Sequence, residues 1–303
     1  MRDPSPYAPH ETLVAPGRAG AELWRLVVGL LVVAACFVML GSLLNTVFKL
    51  VSPGLLAEIA GDPVTGTGAG NTPRSVLALL YSFGLLAISV ALAARLCQNR
   101  SFASLIGPLP LAARQFWAVF RALIILGIAL ALLPPYDASE PLRRNLDFGT
   151  WALLLPFSLG AVLVQSASEE VVFRGYIQQQ LAARFAHPAV WLIAPAALFG
   201  LGHYDPALAG ENAAIIALWA AIFGLLTADL TARAGTLGPA IAMHMFNNVM
   251  AILLVSVPDT LSGLSLAVLP ASMSDPGAFQ SWLMLDFAMM IVSWLAARLA
   301  LRV

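Results

Sequence analysis

Charge is what this chain has least of. Asp, Glu, Lys and Arg together make up 11% of its 303 residues, under half the roughly 25% usual in soluble globular domains. Hydrophobic residues make up 60% and the mean hydropathy is +0.85, which excludes an ordinary soluble domain and implies an integral membrane protein. Sixteen basic residues against sixteen acidic ones leave no net charge, so the long-range attraction that draws proteins to nucleic acid is missing. Cysteine is scarce too. Cys36 and Cys97 each sit in an apolar run, where a thiol packs as a small hydrophobe and neither cross-links nor binds metal. No internal repeat, heptad run or low-complexity block is present, so one helical membrane domain is the simplest organisation.

What is abundant is span-length apolar sequence. A bilayer crossing takes about 20 mostly apolar residues, and about eight stretches qualify or nearly so: Leu26 to Phe48, Ser75 to Cys97, Ala118 to Tyr136, Thr150 to Ser168, Ala189 to His203, Ala213 to Thr231, Leu237 to Val255 and Ser281 to Ala300. The fold class expected is all-α, a polytopic bundle over residues 23–303 with its motif-bearing core at about 150–256. Residues 1–22 are rich in Pro, Gly and charge and read as a disordered cytoplasmic tail. Gly/Pro clusters at Ser52-Pro53-Gly54, Gly61 to Pro73, Pro134-Pro135 and Pro258 to Pro276 mark the loops of one side. Basic residues fall 12 to 4 in favour of the other side, which puts both termini in the cytoplasm, as in a multi-pass protein of a bacterial inner membrane.

Ionisable groups at membrane depth cost several kcal/mol unless they face a cavity or a partner, and they concentrate in one half of the chain. In Gln165 to Gln180, Glu170 and Arg174 are four apart and share a helix face, whereas Glu169 is turned about 100° away from Glu170. This predicts that Arg174 neutralises Glu170 while Glu169 is left free. Phe199 and His203, then His244 and Asn248, repeat the four-residue spacing on later spans. Single intramembrane histidines often serve only as helix-helix hydrogen-bond glue. Two glutamates, two histidines and an asparagine within 80 residues instead supply what amide hydrolysis needs: a base, a proton donor and an amide for an oxyanion.

SEEVVFRG, FGLGH and AGTLGPAIAMHMFNN resemble the three signature motifs of the CPBP family, the CAAX prenyl endopeptidases and their bacterial ABI relatives. The likeness covers about Ser168 to Asn248, with Ala234-Gly235-Thr236 in place of the commoner Thr-Gly-Ser. The resemblance implies an intramembrane endopeptidase acting near the cytoplasmic side on a membrane-embedded or lipidated protein, a prenylated CAAX-like tail being the precedent. In that reading Glu169 activates a water, His203 assists, His244 and Asn248 hold the oxyanion, and Glu170, Arg174 and Phe199 support them. No cofactor is expected. The alternative is a zinc ion on Glu169, His203 and His244, although no HExxH run is present. Convergence of these groups requires one long helix from about Trp151 to Phe185 with Glu169 near its middle. Competing readings are a non-catalytic immunity or scaffold protein of the same fold and a proton-linked transporter. Sequence does not fix the oligomeric state.

Overall fold

The computed structural model describes residues 5–61, 69–133 and 142–303. Eight apolar helices carry the architecture: α1 Leu23–Val51, α2 Pro73–Gln98, α3 Leu109–Ala131, α4 Phe148–Arg184, α5 Pro188–Leu201, α6 Ala213–Ala234, α7 Gly238–Leu254 and α8 Phe279–Leu301. Six of them, all but α5 and α7, are long and apolar enough to cross a membrane, so the protein is a multi-pass membrane bundle. Each of the eight expected stretches corresponds to one helix. The Pro134-Pro135 loop and the expected span end at Tyr136 lie outside the described residues.

Local chemistry sets the helix starts. Thr72 caps α2 by accepting from the Ser75 amide, with Pro73 in the first turn, where its missing N–H costs nothing. Asp147 caps α4 through the Thr150 amide at 2.9 Å, and His187 with Pro188 opens α5. Gly235, at φ +70°, ends α6 in the left-handed region that glycine adopts freely. Small residues let α5 and α6 meet closely. A Cβ on Gly200 would lie 2.6 Å from the Ala217 carbonyl oxygen, and one on Gly224 would lie 3.1 Å from the Ala196 Cα.

The bundle has two unlike ends. At one, three two-residue strands, β1 Arg143–Arg144, β2 Val255–Ser256 and β3 Ala267–Val268, form a small sheet in the order β1-β3-β2. Arg143 pairs antiparallel with Val268, and Val255 pairs parallel with Ala267. At the other end lies a cap. The expected disordered tail is instead packed: residues 8–20 form three short helical turns, with Leu13 and Val14 buried against the bundle. Tyr7 donates to Asp229 Oδ1 at 2.9 Å, and Arg100 donates to Leu13 O, Ser104 O and Gln179 Oε1. Pro/Gly-rich composition concealed these two apolar anchors and the buried arginine that receives them.

The α4 helix is continuous from Phe148 to Arg184, 37 residues in all, as convergence required. Its geometry changes directly after Glu170, where Val171–Gln178 winds as a π-helix. A second π segment, Val249–Leu254, begins directly after Asn248. Widened turns of this kind are rare and gather at functional sites. Both here sit one residue beyond a motif side chain.

Candidate active site

Helix α4 supplies two carboxylates in adjacent positions with different surroundings. Glu170 is fully buried, and its Oε1 accepts from Arg174 Nη1 at 3.0 Å and from His244 Nδ1 at 2.8 Å. The i,i+4 pair expected from sequence is therefore formed, and His244 of α7 joins it. Arg174 also lies over the Phe199 ring, 4.8 Å from its centroid. That contact and the ion pair compensate a guanidinium that would otherwise be very costly to bury. Gly224 leaves room for it, since a Cβ there would come within 3.3 Å of Arg174 Nη2.

Glu169 points elsewhere. Its Oε1 accepts from Gln165 Nε2 at 2.8 Å, and its Oε2 is buried with no hydrogen-bond partner among the described residues. The nearest cationic candidate is His244 Nε2, 3.6 Å from Oε2. His244 thus lies between the two glutamates, its Nδ1–H given to Glu170 and its Nε2 turned toward Glu169. His203 lies just past the end of α5 and is exposed. Its Nδ1 is 2.8 Å from Phe199 O; a carbonyl only accepts, so Nδ1 carries the proton and Nε2 is left for the site. Phe199 separates the two imidazoles, with ring centroids 4.5 Å from His203 and 6.0 Å from His244.

Gln165 was missed by the sequence reading. It is buried, donates to Glu169, and accepts from Asn248 Nδ2 at 2.7 Å. The signal that could have found it is its position one turn before Glu169 on the same face. Asn248 was expected to act with His244; its direct bond is to Gln165. A cavity of about 320 Å³ brings Glu169, His203, His244 and Asn248 together with Gln165, Phe199 and Asn247. Apolar side chains, among them Leu79, Phe83, Trp219 and Phe223, make up the remaining wall.

The side chains around Glu169 do not form a three-ligand zinc cluster. Among the described residues no three His, Cys, Asp or Glu side chains are grouped as a metal site. No step is therefore routed through a metal.

Residues 151–250 match the family described as Type II CAAX prenyl endopeptidase Rce1-like. This segment is Rce1-like. The match runs from the first turn of α4 to two residues past Asn248, so the Rce1-like segment contains every polar group of the cavity and all three motifs behind the resemblance. It supports CAAX-type endopeptidase chemistry as the general activity. No curated protein and no solved structure matches the chain.

Proposed function

We propose that the protein is an intramembrane endopeptidase that hydrolyses a peptide bond of a membrane-attached chain, with Glu169 as the base. One observation carries this: Glu169 Oε2 is a buried carboxylate oxygen with no hydrogen-bond partner among the described residues, facing a cavity that also holds two imidazoles and a carboxamide. A water bound to Oε2 gives it a proton as the water oxygen bonds to the scissile carbonyl carbon, and His203 Nε2 steadies that water. The carbonyl electrons move onto oxygen, which the Asn248 N–H and a protonated His244 Nε2 receive. Donation from Nε2 makes His244 an imidazolium, and Glu170 at 2.8 Å is the carboxylate that balances it. Breaking the C–N bond then returns the Glu169 proton to the leaving amine. Positioned bases and oxyanion donors each contribute about 100-fold or more to such reactions.

The Arg distribution supports two cytoplasmic termini in a multi-pass inner-membrane protein. A transporter would place interrupted helices in both halves, whereas the π segments here fall in α4 and α7 alone among the described residues. The test uses purified full-length protein in lipid nanodiscs and a quenched farnesylated CAAX-type peptide, with products read by mass spectrometry. Wild type should cut and Glu169→Gln should lose at least about 100-fold in rate. Equal cleavage by the two would remove Glu169 from the mechanism, and a biological phenotype that survives Glu169→Gln would favour an immunity or scaffold role.

A further inference from the structure

A second hollow, of about 390 Å³, lies away from Glu169, between the N-terminal cap and the ends of two apolar helices. Its walls come from the cap, from the last turn of α4 at Arg184 and from the first turn of α5 at Pro188 and Trp191. Ligand pockets start at about 300 Å³, so the space is of binding size. Charge in it is unbalanced. Arg18 and Glu11 cancel each other, since Arg18 Nε and Nη2 donate to the Glu11 carboxylate at 3.0 and 2.6 Å. Asp229, just beyond, already accepts from Tyr7, Arg233 and Trp294. The Arg184 guanidinium lies over the Phe185 ring, 5.7 Å from its centroid, and has no carboxylate partner among the described residues. One positive charge is left over.

His10 adds an unmet polar atom to the same wall. It is 3% exposed, packs on Trp191 and borders the hollow, yet its Nε2 is buried with no hydrogen-bond partner among the described residues. Leaving such an atom unpaired costs about 1–3 kcal/mol. A neutral imidazole with its proton on Nε2 needs an acceptor there, and a free guanidinium needs an anion with two oxygens to match its fork. One oxyanion satisfies both. The rest of the wall is apolar, with Val14, Ala183, Ala186 and Pro188, which suits a ligand that is only partly charged.

We propose that this hollow binds a phosphate group between the Arg184 guanidinium and the His10 imidazole, and that the phosphate is the headgroup of an anionic phospholipid. The hollow lies where α4 and α5 leave their apolar stretches, which is where headgroups are. The Arg distribution supports a cytoplasmic N-terminus, and the cytoplasmic leaflet is the one that carries anionic lipid. A bound headgroup ties the cap to α4 and α5. Pro9 of the cap lies against Gly235, so the lipid also steadies the turn that leads into α7. Neither the site nor its test depends on the proteolysis reading.

The full chain is placed in nanodiscs of phosphatidylcholine alone or with one-third phosphatidylglycerol, and hydrogen exchange of residues 8–20 is followed at pH 7.5. Phosphatidylglycerol should slow exchange at least about tenfold, the protection given by a ligand at about ten times its Kd. Arg184→Gln should lose that slowing, and so should His10→Phe, which keeps a ring on Trp191 but has no N–H. Arg114→Gln should keep it. Arg114 is exposed and at the same end, since its neighbour Gln115 donates to Ala234 O. Slowing that survives Arg184→Gln, or that Arg114→Gln also abolishes, is diffuse attraction to a basic surface and overturns the site. In phosphatidylcholine alone, inorganic phosphate is compared with chloride at equal ionic strength. Slowing by phosphate that Arg184→Gln removes, with none added by phosphatidylglycerol, keeps the site but overturns the lipid as its ligand. No slowing by either overturns the proposal whole. Should Arg184→Gln loosen the cap in phosphatidylcholine too, native mass spectrometry decides: one phosphatidylglycerol should stay on wild type and Arg114→Gln and leave Arg184→Gln, and equal retention by all three overturns the site.

Discussion

A glutamine held between a carboxylate and a carboxamide is not free to flip. Glu169 can only accept, so Gln165 must turn its NH₂ to it, and its oxygen then faces Asn248. Asn248 must answer with its own NH₂, whose second N–H is left to meet a developing oxyanion. Gln165→Met keeps the volume and removes the polarity. It should lower kcat by about 100-fold, the usual cost of one oxyanion donor, with KM nearly unchanged. Added to Asn248→Ala it should cost nothing further, because both act through one amide. Steady-state kinetics of the two single variants and the double variant check this. Arg174→Leu makes a different demand, on stability. It leaves the buried Glu170 with only His244 as its partner, a loss of about 3–5 kcal/mol for a broken buried pair. Thermal unfolding in detergent should show it, with Arg174→Lys in between because ammonium keeps the charge but loses the guanidinium's fork and its contact over the Phe199 ring. At this scale the sequence revealed groups that are costly in a membrane: Glu169, Glu170, Arg174, His203 and His244 all announce themselves. Gln165 does not, since an uncharged amide near a helix end carries no comparable penalty. The clamp of His244 by Glu170 was hidden because it joins residues 74 apart in sequence.

At the scale of elements, side chains converge because helices approach closely where residues are small. Helix α5 lies on α6 across Gly200, and it carries His203 three residues further on. Gly200→Ala must push the new methyl against the Ala217 oxygen at 2.6 Å and the Ala221 Cβ at 2.8 Å, neither of which can rotate away. We expect about 1–3 kcal/mol of destabilisation together with a fall in kcat, because α5 moves and His203 moves with it. Thermal unfolding measured beside turnover separates these effects from those of Gly41→Ala, where an added Cβ meets nothing within 4 Å. The long α4 helix was legible because no Pro or Gly cluster interrupts the chain from Thr150 to Arg184. Its π segment was not, since Val171–Gln178 contains no residue that demands a wider turn. Of these eight residues only Phe173 is not buried, so the segment's surroundings, which the sequence does not display, are where its geometry is set.

The depth of the site is a property of the whole molecule. Counted from the start of α7, His244 is six residues in, about 9 Å, far short of the roughly 22 Å to Glu169 along α4. The mismatch disappears because α7 does not start at the surface. The turn before it is covered: Thr236 and Leu237 are fully buried, Leu237 N donates to Ile106 O at 3.0 Å, and a Cβ on Gly235 would strike Pro9 O. Ile106, Gly107 and Gln115 cover Thr236 and Leu237, and residues 5–22, read from composition as a free tail, cover the turn from one side through Pro9 on Gly235. Their docking should therefore depend on His10, which packs on Trp191 with ring centroids 4.8 Å apart. Burial pushes the His10 imidazole down to about 4, against a weaker opposite pull from Glu11. The docked histidine is thus neutral, while an undocked one takes up a proton below about pH 6.5. Docking is complete above that pH, weakens as pH falls from about 6.5 toward 4, and changes no further below. At pH 5 the loss is about 2 kcal/mol, roughly 30-fold in opening. Hydrogen exchange of residues 8–20 at pH 7.5 and 5, corrected for intrinsic rates, measures it. His10→Phe should flatten the pH dependence, and an unchanged dependence would mean that another group governs the cap. Glu11, Arg18 and Arg184 line the hollow beside His10, and Glu11 with Arg18 form an exposed pair at 2.6 Å that moderate salt should screen. A pH effect that persists in 0.5 M salt therefore belongs to the buried imidazole.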